Sequence, residues 1–407
     1  MSRPLPPAFT RLSWSNLLAQ LAEQLSLAAV PIVAVLVLKA GPGEIGLLAS
    51  VQSLPFLLLA IPIGLLADRS SRRRLMLLSE LLRATALVLL VGMLLADRVS
   101  LALLAVTGFL AAVGTVAFSV AAPSLVPALV PGDGLARANG RIELARSVAY
   151  AAGPALAGAL IGWTGATAAF VLSAMLSVVA AGFLAGLREP ARPPPAARHP
   201  LLELQDGARM VWQHPLLRPV LFTSVFWNLA WFMLQATYVP YAVRVLGLDA
   251  RGVGLTLGAY GVGMVAGALL APRVMAHLRF GHAILVGPAV SVLAAAVMAS
   301  TQFLPLGSVA AAAFFLFGAG PMVWTITSIT LRQTVTPQRM IGRASSINMV
   351  GSLGVRPLGA ALGGWIGSHW SESVSLWCVL VVFILQACII SLSPVRVLKH
   401  LPPQAQD

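Results

Sequence analysis

The chain has 407 residues, 58% of them hydrophobic and only 10% charged, with a mean hydropathy of +0.88. Soluble domains carry about 25% charged residues, so a water-soluble enzyme is excluded, and the apolar content supplies roughly twelve spans of about 20 residues each. The net charge of +14 does not mark a nucleic-acid binder, because the 27 basic residues sit in short clusters between apolar runs.

In chain order, the polar stretch Met1–Arg11 leads directly into a first apolar run, with no cleavable leader visible. Runs of spanning length predict twelve helices, near 12–38, 45–66, 75–96, 99–128, 136–162 and 166–187, then 217–245, 252–276, 282–302, 305–332, 341–367 and 373–394. The stretch 188–216 holds Pro193, Pro194 and Pro195, several charges and no spanning run, so it reads as a linker. Within it, 201–212 forms either a short amphipathic helix on the cytoplasmic surface or a plain tether. The expected organisation is a six-helix bundle (1–187), a cytoplasmic linker (188–216), a second six-helix bundle (217–395) and a cytoplasmic tail (396–407). Cys378 and Cys388 share the last run ten residues apart, about 15 Å of helical rise and too far for a disulfide.

The basic residues set the orientation. Loops 2–3, 4–5, 6–7, 8–9 and 10–11, with their flanking helix ends and both tails, hold 22 of the 27. The opposite loops hold four (Lys39, Arg98, Arg244 and Arg251), and Arg356 falls inside a span. Positive-inside bias therefore puts both termini in the cytoplasm of a bacterial inner membrane.

The two halves repeat each other. LLADR at Leu65–Arg69 recurs as LLAPR at Leu269–Arg273, an offset of 204. Ala155 to Gly158 recurs as Ala361 to Gly364 at an offset of 206, and at that offset Pro131 meets Pro337, Arg137 meets Arg343 and Gly114 meets Gly320. Duplicated six-helix halves are a recurring transporter plan with a central site.

Polar residues inside the spans form stripes. Ser13, Asn16, Gln20, Glu23 and Gln24 fall within an arc of about 100° on span one. Glu23 is the acid placed well inside a span; at that depth a carboxylate is costly, and it suits either proton exchange during a transport cycle or a fixed helix–helix hydrogen bond. Ser224, Asn228, Trp231, Gln235 and Tyr238 lie within about 80° on span seven, with Asn16 and Glu23 mapping onto Asn228 and Gln235. Two such faces make a substrate cavity from Asn16, Gln20, Gln24, Asn228, Trp231, Gln235 and Tyr238, the aromatic rings offering flat apolar surface. For Tyr238 and Tyr241 the competing role is at the membrane interface. Arg356, with Ser345, Asn348 and Ser352 on its face, lies roughly 22 Å into span eleven. It either pairs with an acid, holds an anionic substrate group or donates to backbone carbonyls. Glu143 with Arg146 and Glu80 with Arg83 have ion-pair spacing and read as structural.

Loop 2–3 runs from Gly64 through Asp68, Arg69, Arg72, Arg73 and Arg74 to Leu75. It resembles the G-x-L-a-D-r-x-G-r-r loop signature of the major facilitator superfamily, departing at Ser71 where glycine is usual. Glycine at Gly64 allows close helix approach, and Asp68 accepts from an arginine or from a helix start. The resemblance implies that Gly64, Asp68, Arg69, Arg72 and Arg73 form a latch on the cytoplasmic side. Gly140, Ala149, Gly153, Pro154, Ala157 and Gly158 in span five look like the glycine-rich motif of the family's antiporters, with Gly153, Pro154 and Gly158 serving close packing and a kink. Leu135 to Asn139, Ser79 to Arg83 and Gly354 to Gly359 look like the branch holding siderophore (enterobactin-type) exporters and macrolide-efflux-like proteins.

No Walker, zincin or nucleophile-elbow pattern occurs, and the histidines lack metal-ligand spacing. The expectation is an all-α integral membrane protein of two pseudo-symmetric six-helix bundles that exports small amphipathic molecules by proton-coupled antiport with alternating access. It works as a monomer among membrane lipids, with no cofactor, metal or nucleic acid, and draws energy from a proton gradient. The alternatives are a lipid or lysophospholipid translocator, a proton-independent facilitator, and, from another class, an intramembrane enzyme or sensor.

Overall fold

The computed structural model describes residues 6–130, 134–189, 200–337 and 340–402. Among these the secondary structure is helical: α1 (Pro7–Leu36), α2 (Pro42–Leu58), α3 (Ala60–Arg69), α4 (Arg72–Leu95), α5 (Leu101–Leu129), α6 (Leu135–Thr164), α7 (Ala166–Ala185), α8 (Pro200–Gln213), α9 (Leu217–Arg244), α10 (Ala250–His277), α11 (Phe280–Ser300), α12 (Gly307–Val335), α13 (Ile341–Gly354), α14 (Arg356–His369) and α15 (Glu372–Ser391), with a short 3-10 turn at Pro394–Val397. Ten of the helices are individually long and apolar enough to cross a membrane. The second and eleventh expected spans are each drawn from two shorter helices, α2 with α3 and α13 with α14. Proline explains both interruptions. Pro55 lies one turn before the break at Leu59, and Pro357 follows the break at Val355, each removing one rung of the backbone ladder.

Local chemistry sets the helix ends. Ser71, Ser100 and Ser371 are N-caps, their hydroxyls accepting from the N–H groups of Arg74, Leu103 and Val374 at 3.1–3.2 Å. Gly165 at φ +89° separates α6 from α7, and Gly247 at φ +65° ends the α9 exit; both adopt backbone angles that side chains disfavour. Cys378 and Cys388 are free thiols.

The chain resolves into two compact units. Unit 1 comprises Met1–Ala40, Val51–Ala196 and Leu248–Gly258. Within it α1 packs on α6 and α7, and α4 on α5 and α7, around Phe9, Leu12, Met76, Phe118, Leu125 and Leu184. The first turns of α10 cross α6 with almost no side chain between them: a Cβ on Gly254 would stand 2.5 Å from the Pro154 carbonyl and 2.8 Å from Gly158 Cα.

Unit 2 comprises Gly41–Ser50, Ala197–Gly247 and Ala259–Asp407. Residues 42–50 of α2 belong here and cross α14, where a Cβ on Gly46 would stand 2.5 Å from Gly364 Cα. Ser50 fastens that crossing by donating to the Pro357 carbonyl at 2.9 Å. The stretch open between a helix and a tether is a helix, α8, whose Val211 is buried with Leu217, Phe280, Trp324, Leu331, Ile390 and Val395.

Candidate substrate and proton sites

In unit 1 the polar face of α1 meets a buried ion cluster. Arg83 on α4 is fully enclosed, and its Nη1 donates to both carboxylate oxygens of Glu80, at 2.7 and 3.0 Å, and to the Ala19 carbonyl at 3.2 Å. Its Nη2 donates to Thr115 Oγ1 at 2.8 Å and lies 3.7 Å from Glu23 Oε2. Glu80 has no exposed side-chain surface, whereas 18% of the Glu23 side chain is exposed. Two carboxylates therefore face one guanidinium, with the closer, bidentate contact going to Glu80 and the longer one to the more accessible Glu23. The sequence places Glu80 and Arg83 on one helix face but carries no sign that Glu23, on a different helix, reaches them.

The rest of the α1 stripe divides by burial. Asn16 is 2% exposed and its Nδ2 has no hydrogen-bond partner among the described residues, Gln20 is half-buried, and Gln24 is buried with its Cβ against Gly153. Gly153 and Gly158, with Pro154 between them, lie where α6 is crossed closely by α1 and by α10. Glu143 and Arg146 pair at 2.6 Å on a half-exposed face of α6.

The loop between α3 and α4 is stapled to the end of α7. Glu189 accepts from the Ser71 hydroxyl at 2.5 Å and from the backbone N–H groups of Arg72 and Arg73, both at 3.2 Å. Arg73 adds its side chain, donating to the Leu184 and Ala185 carbonyls. A carboxylate at this helix start complements its unpaired N–H groups. Nothing in the sequence singles out Glu189. Among the described residues nothing lies within 4 Å of where a Cβ on Gly64 would stand. The side chains of Asp68 and Arg69 lie outside the described residues.

In unit 2 the α9 stripe and the α13–α14 break come together. Arg356 donates from Nε to Asn228 Oδ1 at 3.1 Å and sits 5.0 Å over the Phe232 ring. Asn228 is oriented in turn by donating from Nδ2 to the Ser224 carbonyl at 3.0 Å. Trp231 stacks on Trp227 at 5.4 Å and on Tyr260 at 4.7 Å. Tyr238 is fully buried with its ring edge-on to Phe314, and Gln235 is half-buried. The partners Tyr260 and Phe314 lie on other spans and no periodicity connects them to α9.

Known proteins resemble this chain in sequence and in fold. The Major Facilitator Superfamily profile matches residues 12–356. The uncharacterised MFS-type transporter y4rN of Sinorhizobium fredii is 31% identical over 304 residues, 71% of this chain and 70% of that protein. The enterobactin exporter EntS of Citrobacter koseri is 28% identical over 355 residues, 84% of this chain and 81% of its own length. Among solved structures, the nucleoside transporter NupG superposes with a TM-score of 0.75 at 11% identity, covering 95% of this chain and 99% of that one. A bacterial homologue of the human lysosomal transporter Spinster gives 0.71 at 16% identity, covering 96% and 97%.

Proposed function

The chain belongs to the Major Facilitator Superfamily of membrane transporters, and we propose that it is a proton-coupled exporter of small amphipathic molecules, drug-like or siderophore-like, working by alternating access in a bacterial inner membrane. The relatives that export enterobactin and the glycine-rich α6 support the outward direction.

One observation carries the coupling: Arg83 is bound closely by Glu80 and only at 3.7 Å by Glu23. Protonation of Glu23 leaves the Glu80–Arg83–Thr115 set intact and brings the buried charges into balance. Loss of that proton leaves two carboxylates on one guanidinium, a state that favours rearrangement around α1. Glu23 is the proton-exchanging group, Arg83 sets its charge balance, and Asn16 and Gln20 on the same helix offer polar contacts to substrate. In unit 2 Asn228, Trp231, Gln235 and Arg356 are further substrate contacts. Glu189, holding the α4 start to the end of α7, steadies the cytoplasmic loop that carries Asp68. The energy source is the proton gradient, and no cofactor takes part.

Efflux from proteoliposomes under an imposed pH gradient, with enterobactin and fluorescent dyes as probes, tests the reading. Gradient-driven export should be lost in Glu23→Gln while downhill exchange of substrate persists. Export that ignores the gradient would replace the antiporter with a facilitator or a lipid translocator and return Glu23 to a structural role. Turnover unchanged by Asp68→Asn would remove the latch from the mechanism.

A further inference from the structure

We propose that the surface of unit 2 where the start of α11 meets the chain beyond α15 is a binding site for an anionic phospholipid. Arg279, Arg396 and Lys399 take the phosphodiester head group, and Leu392 and Val397 reach into the acyl chains beside it. The site depends on the chain spanning a bilayer and not on what it carries.

The chain beyond α15 is folded back and fixed. The Ser393 hydroxyl accepts from the Val395 N–H at 3.3 Å and starts the short turn at Pro394–Val397. Val395 is fully buried among Phe280, Ile284, Leu331 and Ile390. The Leu398 and Lys399 carbonyls accept from the N–H groups of Gly281 and Phe280, at 2.8 and 3.3 Å. A Cβ on Gly281 would run into the Arg396 carbonyl. These backbone contacts bring Arg396 and Lys399 beside Arg279, the residue that precedes α11. They also occupy the first two N–H groups of α11, so an anion here is met by side chains and not by the helix start. An orientation signal needs cations near a loop; it does not need them clamped in a fixed arrangement.

The charge at this surface has no counterpart beside it. All three cations are exposed, and none forms an ion pair among the described residues. Between residues 250 and 406 the sequence holds one acid, Glu372. It starts α15, about 30 Å of helix from Ser391 at the other end, and pairs with Arg244 at 3.4 Å. Apolar side chains alternate with the cations: Leu278 precedes Arg279, and Val397 follows Arg396. Leu392 is 85% exposed and Val397 76%, and an exposed apolar cluster marks a contact surface. Cations interleaved with apolar side chains suit the boundary between head groups and acyl chains. The surface lies at that depth because α11 begins and α15 ends there. A nucleic acid or a soluble acidic protein would meet the cations and leave Leu392 and Val397 in water. A zwitterionic lipid would cover the apolar side chains and bring no net charge to the cations.

Native mass spectrometry of the purified full chain, given equal amounts of phosphatidylglycerol and phosphatidylcholine with the same acyl chains, reads which lipid is retained. Phosphatidylglycerol should be retained in preference. Each of Arg279→Gln, Arg396→Gln and Lys399→Gln should lower that preference about fivefold, the weight of one cation at an anionic membrane surface, and the three combined should abolish it. Leu392→Ser with Val397→Ser should weaken retention of both lipids alike. Arg98→Gln, which removes an exposed cation of unit 1, should leave the preference unchanged, and soluble glycerol phosphate at the same concentration should not displace phosphatidylglycerol. Size-exclusion profile and melting temperature report whether each variant is folded; should the combined variant not fold, the three single ones carry the test. Equal retention of the two lipids by the parent chain, an unchanged preference in the folded glutamine variants, an equal loss in Arg98→Gln, full retention in the paired serine variant, or displacement by glycerol phosphate overturns the proposal.

Discussion

At the scale of single residues, the buried ion cluster of unit 1 shows how charge is managed in a low-dielectric setting. Arg83 answers two carboxylates and a carbonyl from full enclosure. Removing one member of such a set leaves charge uncompensated, which costs about 3–5 kcal/mol. Arg83→Ala should therefore lower thermal stability in detergent by several degrees and reduce expression, while Glu23→Gln, which removes a charge from the side already in excess, should be neutral or mildly stabilising. Parallel melting curves of the two variants check this, and equal losses would refute the asymmetry. Glu23 was visible in the sequence because an acid deep inside an apolar run is expensive. Its partner was not, because the guanidinium comes from a different helix and nothing in a linear pattern records which helices touch.

At the scale of elements, helix ends carry testable chemistry. His214, between α8 and α9, accepts from the N–H groups of Leu216 and Leu217 at 3.2 and 3.3 Å through Nδ1, capping the start of α9. Burial holds its imidazole below the ordinary value of 6.5. The neutral ring is the form that caps, so its contribution is present above pH 6.5 and is lost as pH falls through the lowered folded-state value. Melting temperature should drop on acidification in the parent chain, and His214→Asn should remove that part of the drop, the cap being worth about 1 kcal/mol. The close helix crossings make a second case. Gly254→Val would push a side chain into the Pro154 carbonyl and Gly158, and overpacking of this kind costs about 1–3 kcal/mol. Gly46→Val, facing Gly364, should cost a similar amount by the same measurement. Small residues in α6 were legible as a packing motif, but their partners on α10 were not. Neither break at Leu59 or Val355 interrupts the apolar run, so hydropathy read each pair of helices as one span.

At the scale of the whole molecule, the internal repeat reaches into the packing. Gly158 and Gly364 stand 206 positions apart, the offset read from the sequence, and their crossing partners Gly254 and Gly46 stand 208 apart. Within its own unit each pair makes the same glycine-on-glycine crossing, as duplication requires. Orientation belongs to this scale too. With 22 basic residues on one set of loops against four on the other, reporter fusions at both termini should respond as cytoplasmic, and a periplasmic signal from either would reverse the assigned topology.

The sequence by itself determined the solvent, the helical class, the order of the apolar runs and the family, because each follows from composition, period and short local motifs. The tertiary structure alone decided that Glu23 meets Arg83, that Glu189 staples α4 to α7, that Tyr238 is buried edge-on to Phe314 and that Arg356 is held by Asn228. The physical reason is common to all four. Each depends on which helix lies beside which, and apolar helices of similar period leave that choice to packing between side chains far apart in the chain.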